Sequence, residues 1–122
     1  MTLAIVYSRA IHGVDAPLVT VETHLSNGLP SLAIVGLPEA AVKESKDRVR
    51  SAIINSGFEF PLRRITINLA PADLPKMGGR FDLPIAISIL AASGQVPAAA
   101  THTFEFIGEL ALTGGLRRIL FG

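Results

Sequence analysis

Residues 63–94 read "RRITINLAPADLPKMGGRFDLPIAISILAASG". In the first third, Ile65, Ile67 and Leu69 alternate with Thr66 and Asn68. A period of two with one apolar set predicts a strand with one buried face. The last third, from Asp82 to Gly94, is almost wholly apolar and predicts a buried helix. Asp82 suits its N-cap, Pro84 is tolerated in its first turn, and Gly94 ends it. Between the two lies "APADLPKMGGRFDLP" (70–84), with three prolines, paired glycines, Lys76 and Arg80. Such a loop could cradle a phosphate, carry a nucleophile into the helix, or simply connect.

Working upstream, "PEAAVKESKDRVRSAIINSGF" (38–58) predicts the first helix in chain order, so the helix from Asp82 is the second. Val42, Ser45, Val49, Ala52 and Ile53 share one face at spacings of three and four. Lys43, Glu44, Asp47, Arg48 and Arg50 lie mostly opposite. Glu39–Lys43 and Glu44–Arg48 are favourable pairs four residues apart. Pro38 suits the first turn, and Gly57 suits the stop. Before this helix, "TLAIVYSRAI" is β-rich, and "LVTVETHL" (18–25) alternates. Asn27-Gly28 suits a tight hairpin and Pro30 opens "SLAIVG", so the first 36 residues predict three strands in a meander.

Downstream, "VPAAATHT" is a connector. "FEFIGELAL" alternates Phe104 and Phe106 with Glu105, "TGG" is a turn, and "LRRIL" begins a last strand. The predicted order is βββ-α-β-α-ββ, an α+β fold with one sheet backed by helices.

The chain of 122 residues suits one domain. It has no cysteine, which excludes disulfides and thiolate chemistry and is compatible with a reducing cytoplasm. Mean hydropathy is +0.47, yet the dense apolar run "IAISILAA" is far shorter than the ~20 residues a membrane span needs. Net charge is +1, distributed as −2 over residues 1–42, +4 over 43–80 and −1 over 81–122. A basic middle suits a polyanion or acidic partner; it also suits a solvated helix face with loop charges.

The chemical motifs are mostly negative. "PKMGGRFD" places its lysine before its glycines, with no Ser or Thr after them, so it is not a nucleotide P-loop. His12, His24 and His102 are scattered, without the spacing of a metal site; His24 and Glu22 read as a surface pair. Ser88 and Ser93 are the serines available on the second helix, but no G-x-S-x-G surrounds them. The lysines are Lys43, Lys46 and Lys76, and none follows the second helix to complete a Ser–Lys dyad.

Three longer motifs, "GLPEAAVKES" (36–45), "RITINLAPADLPK" (64–76) and "GRFDLPIA" (79–86), carry a resemblance. Residues 36–94 and their flanks resemble the N-terminal domain of the ComM/YifB group of magnesium-chelatase-like AAA+ ATPases. The resemblance implies a single ChlI/Lon-like domain over 1–122 with a ribosomal protein S5 domain 2-like fold. An AAA+ module, with its ATP and Mg2+, would lie downstream. The nucleotide motifs are absent from these residues, and "RRILFG" departs from the proline-containing continuation the group has.

The implied parent is a cytoplasmic hexameric DNA helicase promoting branch migration in natural transformation. Its expected partners are the AAA+ module, neighbouring subunits of a homo-hexamer, and single-stranded or branched DNA, with no membrane. No catalytic, cofactor or metal residue is expected in this chain. Candidate phosphate contacts are Arg48, Arg50, Arg63, Arg64, Lys76 and Arg80. The alternatives are a protein-interaction module without a DNA role and a degenerate Lon-like peptidase. In Lon-like proteases the serine precedes the second helix, a position falling near Phe81 here. Neither Phe81 nor Asp82 can act as that alkoxide, and the partner lysine would lie around or past Gly122.

Overall fold

The computed structural model describes residues 3–11, 14–76 and 78–117. Strand β1 spans Leu3–Arg9, β2 Leu18–Ser26, β3 Ser31–Val35 and β4 Arg64–Ala70. They form one sheet in the order β1-β2-β4-β3. β1–β2 and β2–β4 are antiparallel, and β3–β4 is parallel. Helix α1, Glu39–Asn55, bridges β3 and β4. The long α2, Asp82–Ala92, follows a 3₁₀ turn at Gly78–Phe81. A single helical turn α3, Ala98–Thr101, and a two-residue hairpin of β5 (Glu109–Leu110) and β6 (Leu116–Arg117) complete it.

The α+β class is as expected from the sequence, and so is the βββ-α-β-α-ββ order apart from the added turn α3, but the meander is not. Asn27-Gly28 makes no hairpin, because β4 sits between β2 and β3. Ile65, Ile67 and Leu69 of β4 are completely buried, whereas Leu32 and Ile34 of β3 are less so. Placing the more apolar strand centrally removes more surface from water. Pro30 donates no hydrogen bond, and Ser31 N–H bonds Arg63 C=O at 3.3 Å, which starts the parallel pairing.

One sheet face is packed. Val6, Val19, Val21, Leu25, Ile65, Ile67 and Leu69 point at the helices and meet Ile85 and Ile89 of α2. Each such fully buried side chain contributes about 1.5–3 kcal/mol. The opposite face is half-exposed: Glu22 accepts from Asn68 Nδ2 at 3.0 Å there, in place of the expected pairing with His24.

Both long helices end as predicted. Gly57 (φ 85°) and Gly94 (φ 77°) take the left-handed conformation. Phe58 N–H reaches Ile53 C=O, and Gly57 N–H reaches Ile54 C=O. Gln95 and Gly94 repeat the pattern on Leu90 and Ala91. These paired bonds satisfy helix-end carbonyls that would otherwise lack donors.

The segment after α2 departs most from expectation. "VPAAATHT" contains α3 rather than a plain connector, and "FEFIGELAL" is strand only at Glu109–Leu110. Phe106 N–H bonds Tyr7 C=O at 2.8 Å, a single bridge beside β1. The chain then turns to the start of α2. Gly108 N–H donates to Arg80 C=O at 2.8 Å, and Gly108 C=O accepts from Leu83 N–H at 3.0 Å. Leu83 N–H is one of the helix-start donors without an intrahelical partner, so this segment serves the helix in place of a ladder. The "LRRIL" strand is described as Leu116–Arg117; the rest, like His12, lies outside the described residues.

Candidate functional site

Two regions concentrate polar chemistry: the start of α2, and the end of the sheet where β3 and β4 begin.

At the start of α2, Asp82 is fully buried. It is not the N-cap. Phe81 occupies that position, is itself buried, and no side chain caps the helix. The Asp82 carboxylate instead accepts from Arg48 Nε at 2.6 Å, Arg48 Nη2 at 3.3 Å, Ser45 Oγ at 2.8 Å and Leu110 N–H at 3.1 Å. A carboxylate removed from water needs charged and hydrogen-bonding partners, and three residues supply four hydrogen bonds here. Arg48 is therefore not on the solvated side of α1. Its guanidinium lies between Asp82 and Glu44, the latter at 3.7 Å. The hydrogen bonds that Arg48 donates to Asp82 raise its pKa above the ordinary arginine value. The expected Glu39–Lys43 pair is absent among the described ion pairs.

Lys76 is also turned inward. It is 3% exposed, and its Nζ donates to the carbonyls of Pro71 and Leu74. Burial holds its pKa below the usual lysine value, against the pull of Asp73. Lys76 thus ties the loop to itself, and Lys76→Met is expected to loosen residues 71–76. Faster amide hydrogen exchange there, with exchange in β4 unchanged, would verify that role.

Neither helical serine is poised as a nucleophile. Ser88 Oγ is fully buried, hydrogen-bonded to Thr23 Oγ1 and to Ile85 C=O. Ser93 Oγ donates to Ile89 C=O and also contacts Gln95. No group of three metal-ligating side chains gathers among the described residues. No described helix is long and apolar enough to cross a membrane.

At the sheet end, Arg50 and Arg63 come together. A concavity of about 80 Å³ is lined by Pro30, Leu32, Arg50, Phe60, Leu62 and Arg63, among others. The Arg50 guanidinium lies 5.3 Å from the Phe60 ring centroid, a cation–π contact. Arg64 is exposed at the first residue of β4, its stem passing Gly28. Among the described residues, none forms an ion pair with Arg50, Arg63 or Arg64. Arg80 lies apart, at the 3₁₀ turn before α2, and is itself engaged in an interaction. So the six candidates divide: Arg50 and Arg63 share the concavity, Arg64 is exposed at the start of β4, and Arg48, Lys76 and Arg80 are engaged elsewhere.

Phe60 and Leu62 escaped the reading of the sequence as parts of this surface. Leu62 is 78% exposed. Its signal was available: an apolar residue between Pro61 and Arg63, outside any periodic segment.

Comparison with known proteins now adds the lineage. The family model for subunit ChlI of Mg-chelatase matches residues 21–120. The chain belongs to the ChlI family. Within it, the chain is 67% identical over 119 residues to the competence protein ComM of Haemophilus influenzae. It is 66% identical to YifB of Salmonella typhimurium and 40% identical to Rv2897c of Mycobacterium tuberculosis. Each match covers 98% of this chain but only 23–24% of the relative. The chain therefore spans about a quarter of the length of these ChlI-family relatives and matches a ComM/YifB-type N-terminal domain.

Proposed function

We propose that this chain is the non-catalytic N-terminal domain of a ComM-type hexameric AAA+ DNA helicase, where it aids ring assembly or DNA contact. The observation carrying this reading is the 67% identity to ComM across 98% of the chain. The layered arrangement, one sheet with helices on a single face, is compatible with the S5 domain 2-like, Lon-related fold of that group. ATP and Mg2+ belong to the parent's AAA+ module, and the setting is cytoplasmic. The hydroxyls of Ser88 and Ser93, both bonded back to carbonyls of their own helix, count against the peptidase alternative.

DNA contact would act through phosphates, which position a strand without reading its sequence. If Arg50, Arg63 and Arg64 alone make it, log K for single-stranded DNA falls with log salt at a slope of about −2. If all six basic side chains did, the slope would be about −4. An anisotropy titration at several salt concentrations measures this. No binding at low salt removes the DNA role and leaves assembly.

A second reading, a protein-interaction module, has its own observation. An apolar groove of about 130 Å³ lies between α1, α2 and the β5–β6 hairpin, lined by Ile53, Phe58, Leu83, Ile87, Leu90 and Leu110, among others. Light scattering of the chain alone and with an AAA+ fragment tests it; a strict monomer that binds neither fragment nor DNA defeats both readings.

A further inference from the structure

The sheet has two outer strands, and they are finished differently. Beyond β1, the segment around Glu105 closes the edge: Tyr7 and Glu105 form a bridge, and Arg9 pairs with Glu105 at 2.7 Å. Beyond β3 no further strand lies among the described residues. We infer that the free edge of β3 takes up an extended peptide as an added antiparallel strand, with an acidic side chain of that peptide held by Arg50 and Arg63. This goes beyond both readings above: the ligand is a protein segment, and its place is not the groove between α1, α2 and the hairpin.

The backbone supplies the first half of the site. Ser31 N–H points to β4, where it meets Arg63 C=O. Backbone groups alternate sides along a strand, so Leu32 and Ile34 present their N–H and C=O outward. Natural edges are blunted with charges, prolines or bulges. Ser31–Val35 reads SLAIV, with neither charge nor proline, and Ala33 and Val35 are exposed on the face away from the helices. An extended peptide carries the amides that pair with such an edge, and a nucleic acid carries none.

Charge supplies the second half. The concavity of about 80 Å³ opens at the start of β3, where Pro30, Ser31 and Leu32 line it together with Arg50 and Arg63. None of its lining side chains is acidic, and among the described residues neither arginine has an ion-pair partner. Arg50 is held over the Phe60 ring beside it. An antiparallel strand runs toward this end of β3, so its residue opposite Leu32 brings a carboxylate to the two guanidiniums, a strong charge-assisted pairing. A second copy of β3 does not fit the role. Residues 26–38 hold no acidic side chain, so self-pairing leaves both arginines unanswered.

The probe is fluorescein-Gly-Thr-Val-Thr-Val-Glu-Ser-amide, whose glutamate falls opposite Leu32 and whose valines fall opposite Ala33 and Val35. Anisotropy with the 122-residue chain at low salt should show saturable binding with Kd below about 1 mM. Glutamine in place of the glutamate should weaken it at least about tenfold, the worth of one hydrogen bond to a charged group. N-methylation of the threonine between the valines removes the N–H meant for Ile34 C=O and should cost at least about threefold. Arg50→Gln with Arg63→Gln should reproduce the glutamine effect, and Lys43→Gln, on α1, should change nothing. Circular dichroism melts establish that each variant is folded.

No binding up to about 1 mM would overturn the inference. Binding indifferent to N-methylation would also overturn it, because charge alone would then be attracting the peptide. A dimer of the chain that the peptide fails to dissociate would assign the edge to a second copy. Loss of oligothymidylate binding in the double arginine variant, with peptide binding unchanged, would assign the arginines to nucleic acid. Either of these last two results defeats the peptide site as well.

Discussion

Asp82→Ala is expected to destabilise the domain by roughly 3–5 kcal/mol. The change removes the acceptor of four hydrogen bonds at once. Arg48, whose side chain is only 21% exposed, loses its closest counter-charge, while Ser45 Oγ and Leu110 N–H lose their partner. Leaving such groups unsatisfied is what makes breaking a buried pair expensive, whatever the net worth of the pair. Arg48→Ala should cost a similar amount by stranding the fully buried carboxylate. The double variant should cost clearly less than the two single losses added, because the same interaction is removed only once. Urea unfolding of the four proteins gives the cycle. Against a total stability of about 5–15 kcal/mol, either single change should leave a detectable unfolded fraction. A loss below about 1 kcal/mol would mean that water reaches the pair as it does at a surface.

Gly36→Ala is the second large effect, at roughly 2–5 kcal/mol. Gly36 turns the chain from β3 into α1 with φ 100°, a conformation that side chains rarely adopt. A Cβ placed there runs into the backbone carbonyl oxygen of Leu69, a group fixed in the central strand. Nothing in that contact can rotate away. Gly57→Ala supplies the comparison, because it has a similar φ of 85° with nothing within 4 Å of the added atom. It should cost only about 1–2 kcal/mol, the conformational part alone. Equal losses at the two positions would show that the Leu69 carbonyl moves aside.

Local patterns were legible where one force dominates. The alternation of Ile65, Ile67 and Leu69 and the stops at Gly57 and Gly94 depend on neighbours a few residues away, and they appear where expected. Strand order was not legible. Asn27-Gly28 favours a hairpin, but burying β4 between β2 and β3 is a gain of the whole sheet, and it outweighs one turn. The candidate site was half legible. Composition located a basic middle, but could not separate Arg48 and Lys76, which face internal acceptors, from Arg50, Arg63 and Arg64. One clue was present: Ser45 interrupts the apolar face of α1, and a hydroxyl there needs a partner, which proves to be Asp82. Asp82 itself misled, because a carboxylate opening an apolar helix reads as a cap until the segment around Leu110 is known to pack on it.

The placement of β4 also bears on how the chain is made. A ribosome delivers β1, β2 and β3 first, yet β3 has no sheet neighbour until Arg64–Ala70 has emerged. The first turn of α2 then waits in turn, because Gly108 and Leu110 supply partners to Leu83 and Asp82 across gaps of 25 and 28 residues. Closing such gaps is slow compared with forming a hairpin or a helical turn. The nascent chain therefore carries an unpaired strand edge until β4 emerges, and then an apolar helix whose first turn lacks partners until Leu110 emerges.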